Sequence, residues 1–319
     1  MMNAAVVQSF DAPPRYATFA APVPAEGERL VHVTAAGLHP IVKSLAKGMH
    51  YGSTGQLPFV PGVDGVGRLE DGTRVYFGAA HPPFGSFSER SLASGVICIP
   101  LPEGLDDVTA AAIANPAMSS WVALTARAKF VPGESVLILG ATGVAGKLAI
   151  QIAKHLGARR VIAAGRGSLE RLESLGADAV IQTHQEPAAV VSAMRAELAG
   201  SGIDVVLDYL WGHPAERFFE AISQKGLSKS APRVRYIQIG NSAGMTIPLS
   251  ASILRSSGLE LLGSGFGSAS FDQIRQAITS FFEASAKHPF QFRTKAAPLR
   301  DVEALWNSGE EGVRLVFQP

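Results

Sequence analysis

The sequence predicts an α/β protein: a doubly wound parallel sheet joined to a second, β-rich domain. Three observations carry this. Over residues 136–263 six short apolar strands alternate with helices, the rhythm of a parallel sheet with crossover helices. Residues 134–158 read strand, glycine turn, helix. Before Asp106 the chain instead holds many short strands punctuated by glycine, the pattern of a small barrel-like domain.

In order, Ala4-Ala5-Val6-Val7 opens as a strand and residues 30–36 form a second, with alternation in the middle. A short helix is expected over residues 39–45, followed by an irregular loop, His50-Tyr51-Gly52-Ser53-Thr54-Gly55, rich in turn-formers. Residues 59–69 are a glycine-punctuated strand, and Asp71-Gly72 turns into Thr73-Arg74-Val75-Tyr76-Phe77. Residues 85–90 and 96–100 complete the β pattern. At Asp106 the character changes to an alanine-rich helical stretch, residues 110–128, expected to break near Asn115-Pro116.

Ser135-Val136-Leu137-Ile138-Leu139 is long enough for one buried strand, and Gly140-Ala141-Thr142-Gly143-Val144-Ala145-Gly146 follows at once. Leu148, Ala149, Ile152, Ala153 and Leu156 then recur at helical spacing up to Gly157. In that setting the glycines permit a tight turn and close backbone approach, and the helix N-terminus offers N–H groups to a pyrophosphate. The spacing is G-x-x-G-x-x-G rather than G-x-G-x-x-G, so a turn that needs glycine only for packing is the competing reading. Strands are expected at 160–164, 179–181, 204–208, 234–239 and 259–262, with helices at 168–175, 187–198 and 215–222 between them. Beyond them an amphipathic helix spans 270–286, and a last strand at 313–317 returns to the first domain. The expected boundaries give a β-rich domain of residues 1–118 and 268–319, and a dinucleotide-binding domain of 119–267.

The chain of 319 residues is 47% hydrophobic and 17% charged, with a formal net charge of +1. That balance offers no electrostatic case for nucleic acid or an anionic membrane. A single cysteine, Cys98, precludes an internal disulfide framework and points to a reducing compartment. With no apolar run of about 18 residues and no leader-like N-terminus, a cytoplasmic protein is expected.

Taken together, the ordered segments resemble the medium-chain dehydrogenase/reductase superfamily, in its zinc-free quinone-oxidoreductase-like branch. The likeness rests on Gly37-Leu38-His39-Pro40, on residues 57–67, on Val131-Pro132-Gly133-Glu134 leading into the 140–146 turn, on Leu175-Gly176-Ala177-Asp178, and on Arg314-Leu315-Val316-Phe317. The resemblance implies a GroES-like substrate domain, a Rossmann domain with the cofactor in the cleft between them, and NADPH-dependent reduction of quinones or activated double bonds. It also implies a homodimer formed through the strand at 259–262, whose apolar edge is otherwise an aggregation liability.

Zinc is not expected. The superfamily's three catalytic ligand positions correspond here to His39, Val63 and Pro116, and one donor cannot replace three or four. An NAD-preferring site carries Asp or Glu about 20 residues past the glycine turn. This chain reads Gly165-Arg166-Gly167-Ser168 there, so Arg166, with Ser168 and Arg171, is the expected partner of a 2′-phosphate and NADPH the expected cofactor. Solvated surface charge is the competing reading of both arginines. The Tyr that the family often has after its third strand is replaced by Gln182-Thr183-His184.

The expected cofactor set is Ser119, Gly140, Ala141, Thr142, Gly143, Val144, Gly165, Arg166, Ser168, Arg171, Gly240, Asn241, Gly265, Phe266 and Gly267. Ser119 and Ser120 fall where the family carries a Thr near the nicotinamide, although helix-interior serines also serve as small packing residues. Tyr51 and His39 are the catalytic candidates. A phenol can donate to a carbonyl oxygen as charge develops there, and an imidazole near neutral pKa suits proton donation. A loop aromatic for Tyr51 and a structural His39 are the alternatives; His50 is the weaker rival and Trp211 an adenine-side packing residue. An enal or enone reductase, and an NADPH-binding regulatory protein with little turnover, stand beside the quinone-reductase reading.

Overall fold

Strands covered by helices on both faces are apolar along their whole length. Ser135–Leu139 buries all five of its residues and Val205–Asp208 all four. The computed structural model describes residues 1–223, 231–265, 267–310 and 312–319. The chain divides into two units: Met1–Pro116 with Arg275–Pro319, and Ala117–Ile274.

The first unit opens with an antiparallel pair, β1 (Met2–Val6) and β2 (Arg15–Phe19). The long strand β3 (Glu28–Gly37) leads through Leu38 and His39 into a short helix, α1 (Pro40–Ala46). Then come β4 (Asp64–Leu69), β5 (Arg74–Gly78), β6 (Arg90–Ser94) and β7 (Cys98–Pro100). Helix α2 (Asp107–Val122) carries the boundary between the units and ends in a π-helical turn, Ala123–Arg127.

The second unit continues with β8 (Ser135–Leu139), α3 (Val144–His155), β9 (Arg160–Gly165), α4 (Glu170–Ser174), β10 (Ala179–Gln182) and α5 (Pro187–Ala199). It goes on with β11 (Val205–Asp208), α6 (Gly212–Ile222), β12 (Arg233–Gln238), α7 (Ala251–Ser256) and β13 (Gly258–Gly263). All pairings in its six-stranded sheet are parallel, in the order β10-β9-β8-β11-β12-β13. This is the doubly wound arrangement the alternation predicts. Its order reverses direction between β8 and β11, where crevices for ligands open at the carboxyl ends of such strands. Leu137, Ile162, Val206, Phe218 and Tyr236 lie in its core.

Helix α8 (Phe271–Lys287) leads back to the first unit, where β14 (Arg293–Pro298), α9 (Val302–Leu305) and β15 (Val313–Gln318) close the chain. β15 pairs with β3 through Phe317 and Ala36. The resulting seven-stranded sheet runs β14-β15-β3-β4-β5-β7, with β6 also on β3, and every pairing but β14 with β15 is antiparallel. Phe87 sits against Phe317 and Trp306 edge-on, at ring distances of 5.6 and 6.1 Å, and joins the tail to the β core.

Two local expectations need correction. Helix α2 does not break near Asn115-Pro116 but runs through Pro116 to Val122. Proline costs a helix one hydrogen bond. Here Ala110–Ala114 and Ala117 are wholly buried, and that packing outweighs the loss. The helix expected over 168–175 is confined to Glu170–Ser174, because Gly167 adopts φ +81° and the chain before it is committed to a turn.

Candidate functional site

The carboxyl end of β8 builds the first part of the site. Gly140 adopts φ +93°, a left-handed conformation that side chains resist. Its N–H and that of Ala141 both donate to the Ala164 carbonyl, at 2.9 and 3.0 Å, which hooks the turn onto β9. A Cβ on Gly146 would lie 2.2 Å from the Gly140 carbonyl oxygen, so α3 packs this close only with glycine there. Gly143 is exposed and has open space around its Cβ position, with Gly140 oxygen the nearest atom at 3.5 Å. As N-cap residue it offers α3 no side-chain acceptor. The leading N–H groups of a helix lack intrahelical partners, and a turn of this kind can receive a pyrophosphate. Thr142 is buried, and Val144 half-buried.

At the end of β9, Gly165 is forced by the same turn: its Cβ would come within 2.8 Å of the Thr142 Cγ2. Arg166, Gly167, Ser168 and Arg171 are all exposed. Among the described residues no ion pair engages Arg166 or Arg171. The Gly165 carbonyl accepts from Thr183 N–H at 2.7 Å, and the Gly167 carbonyl from Gln182 Nε2 at 3.0 Å.

Across the reversal point, the buried Asp208 organises the end of β11. Its carboxylate accepts from the Tyr236 hydroxyl at 2.6 Å and from the N–H groups of Leu210 and Trp211 at 2.8 and 3.0 Å. Burial raises its pKa, against the pull of those three donors. The bonds hold Trp211 at φ +56° and aim the chain out of the sheet. Between them Tyr209 presents its hydroxyl to Ser120 Oγ at 2.7 Å and to Ser119 Oγ at 3.5 Å. Ser119 thereby comes to the carboxyl edge, while Ser120 is fully buried and makes the shorter bond to Tyr209.

Beside them, a Cβ on Gly240 would meet the Tyr209 carbonyl at 2.6 Å, and the Gly240 N–H donates to the Asp208 carbonyl. Asn241 is exposed, with Nδ2 on the Met245 sulfur. Gly265, past β13, donates its N–H to Ser268 Oγ at 2.7 Å, and Gly267 adopts φ +91°. Phe266 lies outside the described residues. The expected cofactor residues otherwise follow the ends of β8, β9, β12 and β13, or reach the end of β11 through Tyr209. Sequence reasoning missed Asp208, Tyr209 and Gln182 as their supports. One signal was available for the first: an acid closing an otherwise apolar strand must be hydrogen-bonded or costly.

The two catalytic candidates belong to the first unit. Tyr51 is 74% exposed on the loop after α1, its ring 4.1 Å from that of His50. His50 Nδ1 accepts the Gly52 N–H at 3.0 Å, which ties down this loop and leaves the ring's other nitrogen to carry the proton. The chain just beyond, Ser53 to Gln56, lines a cavity of about 30 Å³ with Phe59 and Val63. That is room for a water molecule, not a quinone ring.

His39 is different. It is 1% exposed, with Nε2 3.6 Å from Asp64 Oδ1. Asp64 in turn accepts the Tyr76 hydroxyl at 2.9 Å, and Arg314 donates from Nη1 to the Leu38 carbonyl at 2.7 Å. Gly37 must be glycine here, because a Cβ would sit 2.6 Å from His39 Nε2 and 2.6 Å from the Ala111 oxygen. Burial pushes the imidazole pKa down, with Arg314 adding to that and Asp64 opposing it. Burial also brings the Arg314 guanidinium down to about 10. The expected donor of near-neutral pKa is instead an enclosed imidazole whose protonated form burial disfavours. Among the described residues no three His, Cys, Asp or Glu side chains converge on a metal position, and Val63 and Pro116 supply no ligands.

A glycine turn of this kind on a doubly wound sheet, in a chain that also carries a separate, mostly antiparallel β-rich unit, is the build of a dinucleotide-binding oxidoreductase. A zinc-binding dehydrogenase family model matches residues 145–283. Along its whole length the chain is 27% identical to a probable NADPH-dependent quinone reductase, tdiC, of Emericella nidulans, covering all of both proteins over 361 aligned residues. It is 33% identical over 180 residues to the 2-methylene-furan-3-one reductase of Solanum lycopersicum, covering 50% of this chain and 46% of that one. The fold is that of a mycobacterial protein solved in complex with NADPH, with TM-score 0.81, 20% identity and complete coverage of both chains. These likenesses support a quinone-oxidoreductase-like protein of the medium-chain dehydrogenase/reductase superfamily.

Proposed function

We propose that the protein is an NADPH-dependent oxidoreductase that delivers hydride to a quinone or an α,β-unsaturated carbonyl and works without zinc. The observation that carries the cofactor reading is the end of β9, where two exposed arginines without ion-pair partners among the described residues flank Ser168 and no acid stands at residues 165–168. A guanidinium makes two parallel hydrogen bonds to a phosphate, and an acid at this place would repel it. The name of the Emericella relative, which includes NADPH and quinone, supports the same reading.

When bound, NADPH supplies the hydride; the chain positions both partners and stabilises the charge that develops. The 140–144 turn and the first N–H groups of α3 hold the pyrophosphate. Arg166, Ser168 and Arg171 hold the 2′-phosphate, and the Gly240, Asn241 and Gly265 backbone orients the carboxamide. Tyr51, as an exposed phenol on its loop, is the donor to the carbonyl oxygen as it gains negative charge. Reduction of an enone is the second reading, favoured by the name of the tomato relative.

A second copy of this chain is the proposed partner, docked through β13. Among the described residues that strand pairs on one side only, with β12, and it leaves Leu261 38% exposed. The single cysteine suits a cytoplasmic location.

Nicotinamide fluorescence with purified protein tests the cofactor assignment. NADPH is expected to bind much more tightly than NADH, and Arg166→Ala to erase most of that difference. No binding of either coenzyme would end the enzyme reading; sedimentation as a monomer at micromolar concentration would end the dimer.

A further inference from the structure

We propose that Gln182 is a positioning residue for coenzyme specificity, acting on the 2′-phosphate turn through the Gly167 carbonyl. The inference rests on the NADPH reading above and extends it to a residue outside the arginine–serine set.

Parallel pairing places Gln182 beside Gly165 at the ends of β10 and β9. Two hydrogen bonds then cross between the strand ends: Thr183 N–H to the Gly165 carbonyl, and Gln182 Nε2 to the Gly167 carbonyl. Arg166 lies between those two tethered carbonyls, and Ser168 follows the second. The helix after the turn cannot do this work. It is five residues long and its N-cap, Leu169, makes no side-chain hydrogen bond. Gly167 at φ +81° is intrinsically permissive, so the turn needs an outside tether to hold one shape. A two-point arginine–phosphate contact is only as good as the backbone that aims the arginine.

The orientation of the amide follows from its partner. A backbone carbonyl only accepts, so Nε2 must face Gly167 and Oε1 must face away. That oxygen is buried, and among the described residues nothing donates to it. The nitrogen end thus fixes the turn, and the oxygen end, closed off from solvent, leaves the ligand contacts to the residues of the turn itself.

Gln182→Leu and Gln182→Glu separate this role from simple structural support. Titration with NADPH, NADH and adenosine 2′,5′-bisphosphate, alongside thermal unfolding, gives the readout. Leu removes the tether; Kd for NADPH and for the bisphosphate is expected to rise about tenfold, and that for NADH less than threefold. Glu keeps an acceptor but loses the tether and brings a like charge to the phosphate, so its NADPH loss should be larger still, about thirtyfold or more, with NADH again spared. If one variant fails to fold, the other decides. Equal losses for the two coenzymes, or an unchanged preference, overturn the inference while the NADPH reading stands. Wild-type protein that binds neither coenzyme overturns both.

Discussion

The α-carbon of Gly146 packs so closely over Gly140 that a methyl group at position 146 would lie 2.2 Å from the Gly140 carbonyl oxygen. Backbone cannot yield there as the tip of a side chain can. Gly146→Ala is therefore expected to destabilise the protein by about 1–3 kcal/mol, the usual cost of overpacking, and to weaken coenzyme binding by displacing α3. Gly143→Ala is the internal comparison. Its φ of −71° suits alanine and its nearest contact is an ordinary 3.5 Å, so stability should stay within about 0.5 kcal/mol. Denaturant unfolding of the two variants measures the contrast, and equal stability would sink this account of the turn.

Tyr51→Phe removes a hydroxyl from an exposed loop and leaves the ring that packs on His50. If the phenol donates to the substrate oxygen, kcat with a simple quinone or enone should fall about a hundredfold, the low end for a lost general acid. NADPH affinity should not move. Unchanged turnover would return Tyr51 to the role of a loop aromatic.

The sheet was legible from sequence because its central strands are buried and almost wholly apolar, and the helices between show their period. The glycine turn was legible for a related reason: only glycine tolerates φ +93° at 140 or the contact at 146. What the sequence hid was made by long-range contact. Nothing local in Gln182 announces that it will tether Gly167, 15 residues away. Nor does His39 reveal that Asp64, Tyr76 and Arg314, from three separate strands, will enclose it. Pro116 misled for the opposite reason: the local rule held, and the burial of α2 overrode it.

Tyr236→Phe tests the support behind the site. The Tyr236 hydroxyl donates to the Asp208 carboxylate at 2.6 Å in a fully buried setting, and nothing in a phenyl ring replaces it. A hydrogen bond to a charged group contributes about 1.5–3 kcal/mol, so a loss of that order is expected on unfolding. Removing a donor that lowers the Asp208 pKa also raises that pKa further. Full stability in the phenylalanine variant would show that Asp208 does not depend on this bond.

His39 gives the protein a dependence on acid that can be read without any substrate. Its folded-state pKa lies below the unfolded value, chiefly because burial disfavours the imidazolium, with Arg314 reinforcing this and Asp64 and the Ala111 carbonyl opposing it. Above pH of about 6.5 the ring is neutral in both states and the residue adds no slope. As pH falls below that value the unfolded chain binds the proton first. The folded state then loses stability, and goes on losing it until the lowered folded-state pKa is reached. His39→Asn has no proton to bind, so the fall in unfolding free energy between pH 7 and pH 5 should be shallower in the variant than in the wild type. Urea unfolding across that window gives the comparison directly. Identical slopes would mean that the folded imidazole takes up its proton as readily as the unfolded one, and that Asp64 offsets the burial.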